Sequence, residues 1–506
     1  MGQQNNNKTI KTALMDEKKM NAKNTIANSF KWSAIGEVVI KINTPILNAI
    51  LAHILLPEDY APLAIITMLI SFCEVFVESG FKKYLIQHKF ESIEEEQKAF
   101  HVASWTTLAI SLLIWGIIIA FCKPLSSFLG NGDIWLAVAI SGCILPMYAM
   151  IGIFDSSIQK ALEFKKIFWA RVITSLIPLV ITIPAAIAGL KYWALIIGNI
   201  ASIMAQMLVL YFQSKYRIKL FYSFSLLFNM LSDTVWTLAD GIAIWLTAWV
   251  DSLIITRFMS EYYLGLYKNS LATVTGLLNM IAAAVIPVLF VGLTKYQSDN
   301  KKFSNLFIQT QRMLAIILIP IGVGLFLFSD VAVMILFGNK WKEASQVVGI
   351  TALTLALRTV YVSICSEAYR AKGLFNIPLL LQCADLCVLV PVCIISAKFG
   401  FWPLVYSRAF SRLVLIVPEF VLLKRVLDID IRNQLKKQIP IILATVIMGI
   451  VGLEVRTFSD SIVWQIISIF ICIVIYFSAL LGLFSSVRSE LTQTNFFQRI
   501  KRKIVK

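Results

Sequence analysis

The residues of this chain that could do chemistry are ionisable side chains placed inside long apolar runs. Each such placement costs about 2.5–3.5 kcal/mol on insertion scales, so these side chains face protein or a wet cavity. Glu37, Lys41, Thr44 and Asn48 recur at spacings of 4, 3 and 4, which is one face of a helix. Asp233, Thr237, Asp240, Thr247 and Asp251 make a second stripe, and Lys268, Thr275 and Asn279 a third. Thr351, Thr354, Arg358 and Tyr361 follow, then Arg408, Arg412 and Glu419, with Glu74 and Glu78 earlier in the chain.

Arg358 and Lys268 have no carboxylate one helical turn away. They are the first candidates for holding an anion, and a guanidinium suits bidentate contact with phosphate. Lys41 is spaced to neutralise Glu37. Arg408 and Arg412 have two readings, a structural pairing with Glu419 or Asp385 and a place at the cavity. Arg171, near a helix end, is expected to snorkel. Asp240 lies deep enough to serve an ion-coupled cycle, whereas Asp233 and Asp251, nearer helix ends, are explained by capping and solvation. Asn48, Thr275 and Asn279 complete the polar lining.

No other chemistry has its residues. There is no GxxxxGK[ST] loop for ATP hydrolysis. The three histidines, His53, His88 and His101, are too far apart in sequence to indicate a metal site. The eight cysteines include no CxxC pair and read as packing residues. No metal, cofactor or catalytic residue is expected.

The elements that must position these side chains are membrane-spanning helices. Of 506 residues, 58% are hydrophobic and only 15% charged. A soluble chain of this size would need several solvated domains and about 25% charged residues. The net charge of +17 invites a nucleic-acid partner. The bases, however, cluster in short stretches between apolar runs, as topogenic charge does.

About 20 apolar residues cross the hydrocarbon as helix. Fourteen such runs are expected, near 30–54, 61–80, 101–122, 134–154, 168–188, 193–213, 230–256, 263–292, 308–329, 346–368, 375–397, 402–423, 439–456 and 462–484. With a cytoplasmic N-terminus, 33 lysines and arginines fall inside and 7 outside, so both termini are expected in the cytoplasm. The first 25 residues are polar and lack the apolar core of a signal peptide, and Met15 or Met20 are further candidate starts.

Four short similarities recur in order at offsets of 203 to 211 residues. Leu56-Pro57-Glu58-Asp59-Tyr60 resembles Met259-Ser260-Glu261-Tyr262-Tyr263, and Phe128-Leu129-Gly130-Asn131 resembles Leu336-Phe337-Gly338-Asn339. Lys160-Ala161 with Phe164 matches Arg370-Ala371 with Phe375, and Tyr192-Trp193-Ala194-Leu195 matches Phe401-Trp402-Pro403-Leu404. The offset spans six helices, and parallel repeats of that kind hold substrate between two halves. The expected organisation is a polar tail 1–25, an N-lobe 26–213, a C-lobe 214–438, two further helices in 439–484 and a basic tail 485–506.

The chain resembles the polysaccharide-transporter branch of the multidrug/oligosaccharidyl-lipid/polysaccharide exporter superfamily. The resemblance rests on Leu55-Leu56-Pro57-Glu58-Asp59-Tyr60, Gly80 with Leu85-Ile86-Gln87, Phe164-Lys165 and Trp193-Ala194-Leu195. It continues with Asp251 and Ile254-Ile255, Leu264-Gly265-Leu266-Tyr267, Pro287, Phe337-Gly338-Asn339-Lys340-Trp341 and Ala371-Lys372-Gly373. These stretches mark fold more than substrate. His53 stands where the family usually has a basic residue, often Arg, and Ala61-Pro62 where it usually has Gly at the first position.

The resemblance implies an all-α protein of fourteen helices in two six-helix lobes, which opens to one side at a time. It implies a substrate of oligosaccharide on undecaprenyl pyrophosphate, moved from the cytoplasmic to the outer leaflet. A polymerase and glycosyltransferases of the same pathway are the partners it points to. A cation-coupled drug exporter of the same superfamily is the alternative, and it would favour acidic over basic cavity residues. A membrane-embedded glycosyltransferase would need larger outside loops than the roughly 4 to 16 residues expected here.

Overall fold

The computed structural model describes residues 43–483, apart from 44, 78–80, 89, 162, 232–233 and 375. Among the described residues every regular element is a helix. Eleven of them are long and apolar enough to cross a membrane. The expectations on Glu37, Lys41, Thr44, Glu78, Gly80, Asp233, Phe375, the N-terminal tail and the basic tail 485–506 lie outside the described residues.

The chain divides into two compact units, one of residues 1–47 and 62–245, the other of 48–61 and 246–506. In chain order the helices are α1 (Pro45–Ile54), α2 (Pro57–Val77), α3 (Phe81–Gln87), α4 (Ile93–Ala120), α5 (Cys122–Phe128), α6 (Trp135–Ser141) and α7 (Ile144–Lys160). Then come α8 (Phe164–Val180), α9 (Thr182–Ile187), α10 (Tyr192–Gln213), α11 (Phe224–Leu231) and α12 (Thr234–Phe258). The remainder are α13 (Glu261–Lys295), α14 (Asn300–Leu327), α15 (Ser329–Leu336), α16 (Ala344–Arg358), α17 (Ile364–Ala371), α18 (Asn376–Ala397), α19 (Phe401–Val414), α20 (Ile416–Leu427), α21 (Ile431–Arg456) and α22 (Ile462–Leu483).

Capping and proline set the boundaries. Ser92 accepts the amide of Glu95 at 3.1 Å and starts α4, while Asp430 accepts the amides of Arg432 and Asn433 and starts α21. Pro418 lacks a donor for the carbonyl of Val414, so the expected span 402–423 breaks between α19 and α20 at Leu415. Pro184 has the same effect between α8 and α9. A π-helical turn, Thr359–Ser363, joins α16 to α17 inside the expected span 346–368.

In the first unit α4 packs on α7, and α10 packs on α7 and α8. In the second unit α14 packs on α16 and α21, α13 on α16, α18 on α19, and α21 on α22. Three of the family-like stretches, around Pro57–Tyr60, Gly265 and Gly338–Trp341, meet in packing contacts of this unit. The Trp341 indole donates to Ala52 O at 2.9 Å and meets the Tyr60 ring edge-on at 5.3 Å. Gly265 lies so close to Pro57 that a Cβ there would sit 1.8 Å from its carbonyl oxygen. His53 Nδ1 donates to Ala49 O at 2.8 Å, and its ring lies beside Gly338.

Candidate functional site

Six ionisable residues of the second unit, Asp251, Lys268, Arg358, Asp385, Arg408 and Arg412, lie on α12, α13, α16, α18 and α19, and Glu419 lies on α20. Asp251 on α12 is the hub and is only 1% exposed. It accepts from Arg408 Nε at 3.0 Å, from the Tyr267 hydroxyl at 2.8 Å and from both the amide and hydroxyl of Ser252. Arg408 also donates to Thr247 O at 3.0 Å, and Gln382 on α18 donates to the Thr247 hydroxyl at 2.6 Å. These bonds exist because α12 and α13 present residues 247, 251 and 267 to α19, one helical turn apart where they share an element.

This overturns one sequence expectation. Asp251 is not solvated near a helix end; it is a buried ion-pair member, and its three polar neighbours offset the cost of burying its charge. The expected partners of the arginines also exchange. Arg408 pairs with Asp251 rather than with Glu419 or Asp385. Arg358, without an acid on its own helix, reaches across to Asp385 on α18 at 2.9 Å. Glu419 instead accepts the Tyr369 hydroxyl at 2.9 Å.

Two cations of the cluster lack a carboxylate within ion-pair distance among the described residues. Arg412 is 3% exposed, and its one polar contact is the Tyr267 hydroxyl at 3.5 Å, with Nη1 unpartnered. The Lys268 ammonium lies over the Trp249 ring, 3.5 Å from its centroid, a cation–π contact. Four bases, Arg358, Lys268, Arg408 and Arg412, therefore face three carboxylates, Asp251, Asp385 and Glu419.

Among the described side chains, Asn48, Thr275 and Asn279 make no contact with this cluster. Asn48 on α1 and Thr275 on α13 are half-buried, and Asn279 is exposed. Along α13, Asn279 is about 16 Å from Lys268. Asp240 lies on α12. Sequence reasoning missed a second buried polar group. Gln434 and Gln438 on α21 donate to Gln311 Oε1 at 2.6 and 3.0 Å, and Gln311 Nε2 donates to Val360 O in the π turn at 3.0 Å. Tyr361 bonds Gln438, and Arg312 beside them is also buried. The pairing of two glutamines four residues apart was the available signal.

Membrane-length helices around a buried ionic cluster define a polytopic membrane protein. The family description "polysaccharide biosynthesis protein" fits residues 50–346, and the chain belongs to that family. It is 25% identical over 348 residues to the succinoglycan biosynthesis transport protein ExoT of Rhizobium meliloti, covering 67% of this chain and 68% of that one. It is 23% identical over 336 residues to the lipopolysaccharide biosynthesis protein WzxC of Escherichia coli, covering 65% and 67%. The structure of the lipid II flippase MurJ in an inward closed conformation superposes with a TM-score of 0.75 at 18% identity. That match covers 90% of this chain and 99% of MurJ. At that identity the likeness establishes the fold.

Proposed function

We propose that the protein is a flippase for oligosaccharide repeat units linked to undecaprenyl pyrophosphate. It carries them from the cytoplasmic to the outer leaflet by alternating access, for O-antigen, capsule or exopolysaccharide assembly. Relatives named for polysaccharide transport and lipopolysaccharide biosynthesis support the reading. The observation that carries it is the cationic excess of the second unit: Arg412 and Lys268 have no carboxylate partner among the described residues. An anionic headgroup would supply the missing charge. A drug-cation exporter would need the opposite balance.

In this reading Lys268 and the part-exposed Arg358 touch the pyrophosphate. Arg408 is held by Asp251, and buried Arg412 adds to the positive field. Lys41, Glu37, Asn48, Asp240, Thr275 and Asn279 are included in the proposal as polar residues that bind the headgroup or a coupling ion. The full organisation is fourteen helices, with two parallel six-helix repeats and two C-terminal helices. It sits in a bacterial cytoplasmic membrane with both termini inside, next to the polymerase and glycosyltransferases of its pathway.

No bond is made or broken. Moving sugar hydroxyls through hydrocarbon unpaired costs several kcal/mol each, and a polar cavity removes that cost. The test is Lys268→Ala, which breaks no ion pair, alongside Arg358→Ala. Lys268→Ala is expected to reach the membrane in normal amount and to lose surface polymer, and Arg358→Ala to lose polymer with less protein in the membrane, because it strands the buried Asp385. The purified wild type should be stabilised against heat by undecaprenyl pyrophosphate, by mass action, and Lys268→Ala should not. Normal export by both variants, or stabilisation by a lipophilic cation alone, would refute the reading.

A further inference from the structure

Away from the ionic cluster, the second unit carries two adjoining cavities of opposite character. One, of about 400 Å³, runs between α14, α15, α21 and α22 and is lined by Ile317, Val331, Ala332, Met448, Cys472 and Phe477 among other apolar residues. Its one hydroxyl, that of Tyr476, is spent on Ile316 O at 2.7 Å, so the lining offers no polar group. The other, of about 410 Å³, lies at the ends of α15 and α21 and the start of α22. Asp330, Lys342, Arg456, Asp460 and Gln465 line it. Val331 lines both, so the two cavities adjoin at that residue. The apolar lining on α22 begins at Ile469 and ends at Phe477, roughly 10 to 22 Å along the helix from Ile462.

The charges of the polar cavity are balanced, two bases against two acids. Arg456 already bonds Asp330 at 2.5 Å, whereas Lys342 and Asp460 are exposed. Gln465 is 5% exposed. It donates to the carbonyls of Arg456 and Ser459, but its Oε1 is buried with no donor. A buried acceptor of this kind requires a partner.

We propose that this end of the unit binds a zwitterionic diacyl phospholipid. The phosphate rests on Lys342 and Arg456, the ammonium is placed among Asp330, Asp460 and Gln465 Oε1, and an acyl chain lies in the apolar cavity. An ammonium supplies the donor that Gln465 lacks, and a balanced cavity fits a headgroup carrying one charge of each sign. A purely anionic head would bring no cation for Asp460 and no donor for Gln465 Oε1. This lipid is a resident of the protein, distinct from the cargo of the ionic cluster.

The experiment is native mass spectrometry and thermal unfolding of the purified full-length protein. Dioleoyl-phosphatidylethanolamine, dioleoyl-phosphatidylglycerol and undecaprenyl phosphate are added in competition. The ethanolamine lipid is expected to be retained and to raise the melting temperature, at least tenfold more effectively than the other two. The exposed double variant Lys342→Ala/Asp460→Ala should lose that preference, and Ala332→Trp, which fills the groove, should lose retention of all diacyl lipids. Equal or stronger binding of the glycerol lipid or of undecaprenyl phosphate by wild type would overturn the proposal. So would an ethanolamine preference that survives in the double variant. The wild-type competition decides even if Ala332→Trp fails to fold.

Discussion

The two units bury different amounts of charge. Among the described residues of the first unit, Asp155 is the one buried carboxylate, and most other buried polar groups are hydroxyls such as Ser104, Thr107 and Ser156 bonded to their own helix. The second unit buries Asp251, Arg312, Asp385, Arg408, Arg412 and Glu419. Hydroxyls that return a bond to their own helix add little specificity between helices. Charges that can be satisfied only from another helix fix which helices meet, and at high cost if they are left alone. Under the proposed function, the contrast assigns the handling of a charged headgroup to the second unit.

The largest expected effect tests the hub of that charged unit. Asp251→Ala removes the acceptor of Arg408 and Tyr267 and leaves a guanidinium buried without a counter-charge. Breaking a buried pair in this way costs about 3–5 kcal/mol, so little folded protein should survive detergent extraction, as read by size exclusion. Arg412→Met should behave in the opposite way. Its guanidinium has no carboxylate within ion-pair distance to abandon, and replacing it by an apolar side chain of similar volume removes the cost of burying its charge. An unchanged or raised melting temperature together with lost polymer export would show that Arg412 is kept for function.

A smaller effect is expected at the buried glutamines. Gln311→Leu leaves the side-chain amides of Gln434 and Gln438 without their shared acceptor and Val360 O without its donor. Unsatisfied buried groups cost about 1–3 kcal/mol. The loss should appear as a lower melting temperature and faster amide exchange around the π turn, where backbone carbonyls already depart from the regular ladder.

Much of this was legible in the sequence because the bilayer is a strict solvent. Long apolar runs have to be helices, and charges within them have to meet protein or water. Arg358, Lys268, Arg408 and Arg412 were singled out by that rule, together with Lys41 and Arg171. Their pairing was not, because it depends on which faces of α12, α18 and α19 meet. Spacing along one helix said nothing of Asp385 27 residues beyond Arg358, or of Asp251 157 residues before Arg408. The breaks at Leu415 and in the π turn escaped for a related reason. Apolar composition continues through them, and the local signal for the first is a single proline, Pro418.

The smallest effect belongs to the one interhelical ion pair of the first unit involving Asp155. Lys82 on α3 donates to Asp155 on α7 at 2.8 Å, with the lysine side chain 33% exposed and the carboxylate side chain 11%. Water and salt screen such a lysine, and a pair of this kind is worth at most about 1 kcal/mol. Asp155 also keeps the amide of Gln159 at 2.7 Å when Lys82 is removed. Lys82→Ala should therefore shift the melting temperature far less than Asp251→Ala, and the difference should vanish in high salt. A loss as large as that of Asp251→Ala would mean that the first unit also relies on buried charge, and the contrast between the units would fail.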